Sequence, residues 1–142
     1  MSSRVLVAYD DSPQAEHALE FALSEYDDAQ ITLLTAVDPT DAGSRTRLSL
    51  PPFGEEWLER AREDAEENFA EARERIEDAG LDVDTAIEIG RPANTVVEYA
   101  KAHDVDHVVM GSHGRSGVTR ILLGSVAETV VRRSPVPVTI AR

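Results

Sequence analysis

The chain has 142 residues, no cysteine and a formal net charge of −13. The missing cysteines exclude disulfides, thiolate metal sites and a cysteine nucleophile, and so acidic a surface argues against nucleic acid as a partner. The length suits one domain spanning residues 1–142, long enough to bury about two-thirds of its unfolded surface. No apolar run approaches the roughly 20 residues of a membrane span, and the opening Met-Ser-Ser-Arg-Val lacks a signal-peptide core, so a cytoplasmic protein without a membrane partner is expected.

Residues 4–9 form a near-continuous apolar run, as in a strand covered on both faces. Ser12 is a good N-cap and Pro13 a good first helical residue. Ala15, Ala18, Leu19, Ala22, Leu23 and Tyr26 then keep the three-to-four spacing of a helix that runs to about Tyr26. A second strand is predicted over 31–37. Residues 38–54 hold Pro39, Gly43, Pro51, Pro52 and Gly54 without any period and read as a long loop. Over 55–79 the positions Leu58, Ala61, Ala65, Phe69, Ala72 and Ile76 repeat at helical spacing, and Gly80 stops the helix. The acidic outer face of that helix reads as solvated surface, not as a metal site. A third strand follows over 83–89. Gly90-Arg91-Pro92-Ala93 then turns into a helix carrying Val96, Val97 and Ala100 and ending near His103. A fourth strand over 107–110, a helix over 125–133 and a last strand over 136–141 complete the chain. Strand and helix alternate throughout, so the fold class is α/β, a single doubly wound domain around a parallel sheet.

The motif that carries chemistry lies between the fourth strand and the last helix. Gly111-Ser112-His113-Gly114 follows the apolar run Val108-Val109-Met110, and Gly124-Ser125 comes nine residues after Gly114. The spacing G-x2-G-x9-G-S is neither the Walker A pattern nor the dinucleotide fingerprint. Closely spaced glycines let backbone N–H groups approach an anion with no Cβ in the way, and the first turn of the helix after Gly124 adds further donors. Charge agrees with the motif. Residues 107–142 carry five arginines against Glu128 alone, a formal +4, which leaves −17 for residues 1–106. A polyphosphate is therefore repelled least where the glycines stand. Arg115 and Arg120 are candidates to reach phosphates. His113 has no acid or serine partner fixed by spacing and reads as a loop spacer or phosphate contact. His17, His103 and His107 are scattered and make no ligand set. No catalytic residue and no metal site are assigned.

In an open doubly wound sheet, ligands sit beyond the carboxyl ends of the strands where the strand order reverses. With the first and fourth strands adjacent, Asp10 faces the glycine loop for a topological reason. Beside phosphates its carboxylate would accept from a base amino group or a ribose hydroxyl, or reach a metal through water. The competing role is a cap on the first helix.

Val-Ala-Tyr-Asp-Asp-Ser at 7–12, Gly-Arg-Pro-Ala at 90–93, Val-Val-Met-Gly-Ser-His-Gly at 108–114, Leu-Leu-Gly-Ser-Val-Ala at 122–127 and Pro-Val-Pro-Val at 135–138 occur in that order. On these residues the chain, over nearly its full length, resembles the universal stress protein family. The resemblance implies a five-stranded parallel sheet of order 3-2-1-4-5 with four helices on both faces. One branch of the family carries the glycine motif and binds ATP, and this chain resembles that branch. By position, Gly111 to Arg115, with Gly114 and His113 among them, and Gly124, Ser125 and Val126 would hold ribose and phosphates. Asp10 would meet the adenosine, Ala8 and the backbone near Ala36 would line the base, and Met110 joins the lining. Asp11 stands where the family more often has glycine, adding a carboxylate beside the pocket.

The expected function is thus an ATP-binding stress-response module, with magnesium offsetting phosphate charge. The alternatives are a slow ATPase or phosphotransferase, for which no lysine or acid–base pair is in view, and an interaction protein whose pocket stays empty. The last strand, an apolar sheet edge through Val136, Val138 and Ile140, is expected to pair with a second copy. Lys101 is the only lysine against thirteen arginines. An acid-rich, almost lysine-free chain fits concentrated salt, where a Debye length of about 3 Å at 1 M screens self-repulsion.

Overall fold

The computed structural model describes residues 3–10, 12–39, 54–112 and 123–142. Five strands, β1 (Ser3–Ala8), β2 (Ala29–Val37), β3 (Asp82–Ile89), β4 (His107–Gly111) and β5 (Val138–Ala141), form one sheet. The strand order is β3-β2-β1-β4-β5 and every pairing is parallel. Among the described residues, four helices alternate with these strands: α1 (Pro13–Glu25), α2 (Glu55–Asp78), α3 (Pro92–Ala102) and α4 (Ser125–Arg133).

A parallel sheet needs cover on both faces because each strand sends successive side chains to opposite sides. In β1, Val5 and Val7 pack with Ala15, Ala18, Leu19 and Ala22 of α1 and with Phe69, Ala72 and Ile76 of α2. Leu6, between them, packs on the other face with Val96, Val97 and Ala100 of α3 and Ala127 and Val130 of α4. All three β1 residues are fully buried, as the unbroken apolar run requires of a central strand. The chain steps outward from β1 through β2 to β3, then returns across the sheet to β4. The strand order therefore reverses between β1 and β4, and their carboxyl ends lie side by side.

Most expected boundaries hold within two residues. Gly80 adopts φ +81 just beyond α2, the left-handed turn that ends a helix and suits glycine. The last strand starts two residues late, at Val138, and leaves Val136 outside it. The Ser134 hydroxyl donates to the Val136 carbonyl at 2.8 Å and accepts from the Val136 amide at 3.1 Å. This local turn occupies both peptide groups before the strand can begin. Pro137 still contributes through its carbonyl, which accepts from the Val108 amide at 3.0 Å. The sequence-predicted loop lies almost wholly outside the described residues, which resume at Gly54.

Candidate functional site

The connection from β1 to α1 is closed by its own side chains. The Tyr9 amide donates to the Leu34 carbonyl at 2.9 Å, one residue beyond the last β1–β2 pair, Ala8 with Leu34. The Thr35 hydroxyl donates to the Tyr9 carbonyl. Asp10 Oδ1 then accepts from the Ser12 amide at 2.9 Å, and Ser12 Oγ accepts from the Ala15 amide at 3.2 Å. Ser12 has extended backbone angles and is buried, with Pro13 at the first helical position, as an N-cap should be. Asp10 is half-buried, and the Ser12 bond takes up only part of a carboxylate's acceptor capacity. The helix-supporting and ligand-accepting roles are therefore compatible.

The tyrosine before Asp10 is held as firmly at its side chain. Tyr9 is buried, its ring packs against Phe69 of α2 at a centroid distance of 6.5 Å, and its hydroxyl donates to Glu16. Glu16 in turn pairs with Arg75 of α2. Burial first, and then the bond to Glu16, raise the phenol pKa well above its ordinary value, so the hydroxyl remains a donor across physiological pH.

The β4–α4 connection is built differently. Gly111 closes β4, and a Cβ there would stand 2.5 Å from Gln14 Cβ and 2.8 Å from the Gln14 carbonyl carbon and oxygen. Glycine at 111 thus lets the first turn of α1 pack against the end of β4, a structural need that exists without any ligand. The Gly124 amide donates to the Ser112 carbonyl at 2.7 Å, which seats the start of α4 at the end of β4. Gly124 is the N-cap of α4 and, as glycine, brings no side-chain cap of its own. Its angles, φ −71° and ψ 164°, are open to any residue, so backbone conformation does not explain the absence of a side chain there. Helices α2 and α3 also lack a side-chain cap. Helix α4 is the one that follows β4, next to β1 and Asp10.

The third side comes from β2. Bonds from the Tyr9 amide to the Leu34 carbonyl and from the Gly90 amide to the Val37 carbonyl fix which peptides face which neighbour. By alternation, the Ala36 peptide groups face the β1 side of β2, two residues beyond the last β1–β2 pair. Ala36 is half-buried there. The register Val7 with Val109 places Ala8 level with Met110 and Tyr9 level with Gly111.

Of the residues expected at the site, Ala8, Asp10, Ala36, Met110, Gly111, Gly124, Ser125 and Val126 all lie at this carboxyl end of the sheet or at the start of α4. His113, Gly114, Arg115 and Arg120 lie outside the described residues. Sequence reasoning missed Thr35 and Gln14. Thr35 and Gln14 act through contacts that no local pattern announces. No group of three or more His, Asp or Glu side chains able to hold a metal occurs among the described residues, nor does any helix there long and apolar enough to cross a membrane.

These features define a doubly wound α/β protein whose strand order reverses between β1 and β4, the place where ligands bind in sheets of this kind. Sequence and structure comparisons agree on which group of such proteins this is. The pattern of the universal stress protein family matches residues 1–142, and the chain belongs to that family. It is 30% identical over 155 residues to universal stress protein MJ0577 of Methanocaldococcus jannaschii, covering all of this chain and 96% of that protein. The solved structure of MJ0577 superposes with a TM-score of 0.85 at 29% identity, over 99% of this chain and 96% of that one. A putative universal stress protein of Staphylococcus aureus (strain USA300) is 32% identical over 143 residues, 97% of this chain and 82% of its own length. A universal stress protein solved in complex with cAMP is also similar, with a TM-score of 0.67 at 26% identity, covering 99% of this chain and 97% of that one.

Proposed function

We propose that the chain, acting as one domain over 1–142, is an ATP-binding module that holds the nucleotide between the ends of β1 and β4. The start of α4 carries this reading. It is set at the end of β4 by the Gly124–Ser112 bond, and its N-cap glycine brings no side chain to compete for the first-turn amides. Amides in that position, reinforced by the helix dipole, suit phosphate oxygens. Gly114 and Arg115 would extend the cradle, and Ser125 and Val126 would supply the first-turn donors. Asp10 would accept from the ribose or base, and the Ala36 peptide, with one donor and one acceptor on the same side, would meet the base edge. The cAMP complex of a relative shows that this family includes adenine-nucleotide binders. Magnesium would offset the phosphate charge close to Asp10.

Calorimetric titration with ATP, with and without magnesium, followed by a phosphate-release assay, tests this directly. Saturable binding, strengthened by magnesium and without release, is the expected result. Release would establish an ATPase, and the absence of binding would leave an interaction protein.

The same reading includes a homodimer through β5. The opposite edge, β3, exposes Asp82, Asp84 and Glu88 along its length, whereas β5 carries no charge from Val138 to Ala141. Charges guard a sheet edge against pairing, and an uncharged edge invites it. Light scattering at micromolar concentration should give a dimer, and a monomer would refute it. Molar potassium chloride should raise the melting temperature, because it screens the −17 formal charges of residues 1–106. A flat or falling melting temperature would remove the salt-adapted reading.

A further inference from the structure

We propose that Tyr9 is a positioning residue of the nucleotide site, acting through Asp10 by tying the end of β1 to α2. The proposal rests on the nucleotide-binding reading above and names what controls the geometry of that same site.

A tyrosine that only filled the core would not need its hydroxyl. The ring already packs against Phe69, and phenylalanine would make that contact without burying a polar group. A buried hydroxyl costs stability unless it is paired. Here it is paired with Glu16, and Glu16 is held by Arg75 from the other side. The result is a chain of polar contacts from α2, through the first turn of α1, to the residue directly before Asp10.

Tyr9 is tied at three points: its amide to Leu34, its carbonyl to Thr35 and its hydroxyl to Glu16. The first two reach β2, and the third reaches α1 and, through Glu16, α2. Together they set the peptide from which the Asp10 side chain departs. Asp10 completes the series by accepting from the Ser12 amide. A carboxylate that must meet a ligand group within a few tenths of an ångström gains affinity when its backbone is ordered before the ligand arrives. The hydroxyl tether supplies part of that order.

The test uses the full chain with Tyr9→Phe, Glu16→Gln, Asp10→Asn and the double variant Tyr9→Phe/Asp10→Asn. Calorimetry with ATP and magnesium reads affinity, and NMR hydrogen exchange reads the Ser12 amide that is bonded to Asp10. Losing one hydrogen bond in the tether should weaken ATP binding about threefold to tenfold in Tyr9→Phe, and by a similar factor in Glu16→Gln. Ser12 should exchange faster in both while far-UV circular dichroism stays unchanged. In the Asp10→Asn background, Tyr9→Phe should produce no further loss, because the tether acts only through Asp10. Parent-like affinity in Tyr9→Phe, unchanged Ser12 exchange, or losses that add in the double variant would each overturn the proposal. A parent chain that bound no ATP would overturn the nucleotide reading together with this proposal. That failure is distinguishable because it appears before any substitution is made.

Discussion

Helices α1 and α4 both begin at the switch point, and they treat their first-turn amides in opposite ways. At α1, Ser12 Oγ accepts from the Ala15 amide and Asp10 accepts from the Ser12 amide, so part of the terminus is satisfied from within the chain. At α4, the N-cap is Gly124, which caps with its backbone alone. The charge around them differs in the same sense. The α1 connection belongs to the segment with a formal −17 and α4 to the segment with +4. A helix start closed by its own side chains anchors a fold, whereas one left open beside a crevice has donors to give to an anion. On the proposed reading the β4–α4 connection gives donors to the phosphates, while the β1–α1 connection anchors the fold and offers the ligand Asp10 alone.

The largest effect should come from filling the open terminus. Gly124→Val places a branched side chain where phosphates would approach on the proposed reading, and losing two or three charge-assisted hydrogen bonds should weaken ATP binding on the order of 100-fold or more. Stability should hold, because the Gly124 angles suit any residue. Titration calorimetry beside thermal melting checks both, and parent-like affinity would break the contrast between the two helices.

Gly111→Ala should act on the opposite axis. The added methyl meets Gln14 backbone atoms at 2.8 Å, so α1 or β4 must shift. Overpacking of this kind costs about 1–3 kcal/mol, visible as a melting temperature lower by several degrees. An unchanged melting temperature would show that the packing between α1 and β4 is looser than the distances imply.

Removing the cap at the closed terminus should cost less. Ser12→Ala loses the bond from the Ala15 amide, worth about 1 kcal/mol in denaturant unfolding. The smallest effect, and the one that most sharpens the contrast, is Gly124→Asp. A capping carboxylate should stabilise α4 by a few tenths of a kcal/mol while repelling the nucleotide. Stability and affinity would then move in opposite directions in one variant. If both fell together, the open terminus would have a structural role after all.

Much of this arrangement was legible in the sequence. The alternation of residues 4–9 with the helical spacing of Ala15 to Ala22, and the pair Ser12-Pro13, are local signals whose meaning depends on neighbours a few residues away. The same holds for Gly80, whose position past a periodic apolar series marks a helix end. The spacing of Gly111, Gly114, Gly124 and Ser125 pointed to the β4–α4 connection, and the structure places the described members of that set there. The start of β5 was misread because a hydrophobic run says nothing about a serine that binds the backbone two residues on.

The sequence by itself determined the order and type of the elements, the stripe each helix buries and the place of the glycine motif, because these follow from periodicity and capping within single segments. Tertiary structure alone decided why Gly111 must be glycine, since Gln14 comes within reach only when α1 packs across β4. It also decided that Gly124 reaches back to Ser112 and that Tyr9 is tied to α2 through Glu16 and Arg75. Glu16 and Arg75 stand 59 residues apart in the chain. A contact over such a separation exists only once the sheet has set which helices lie on which face, and no local pattern encodes that choice.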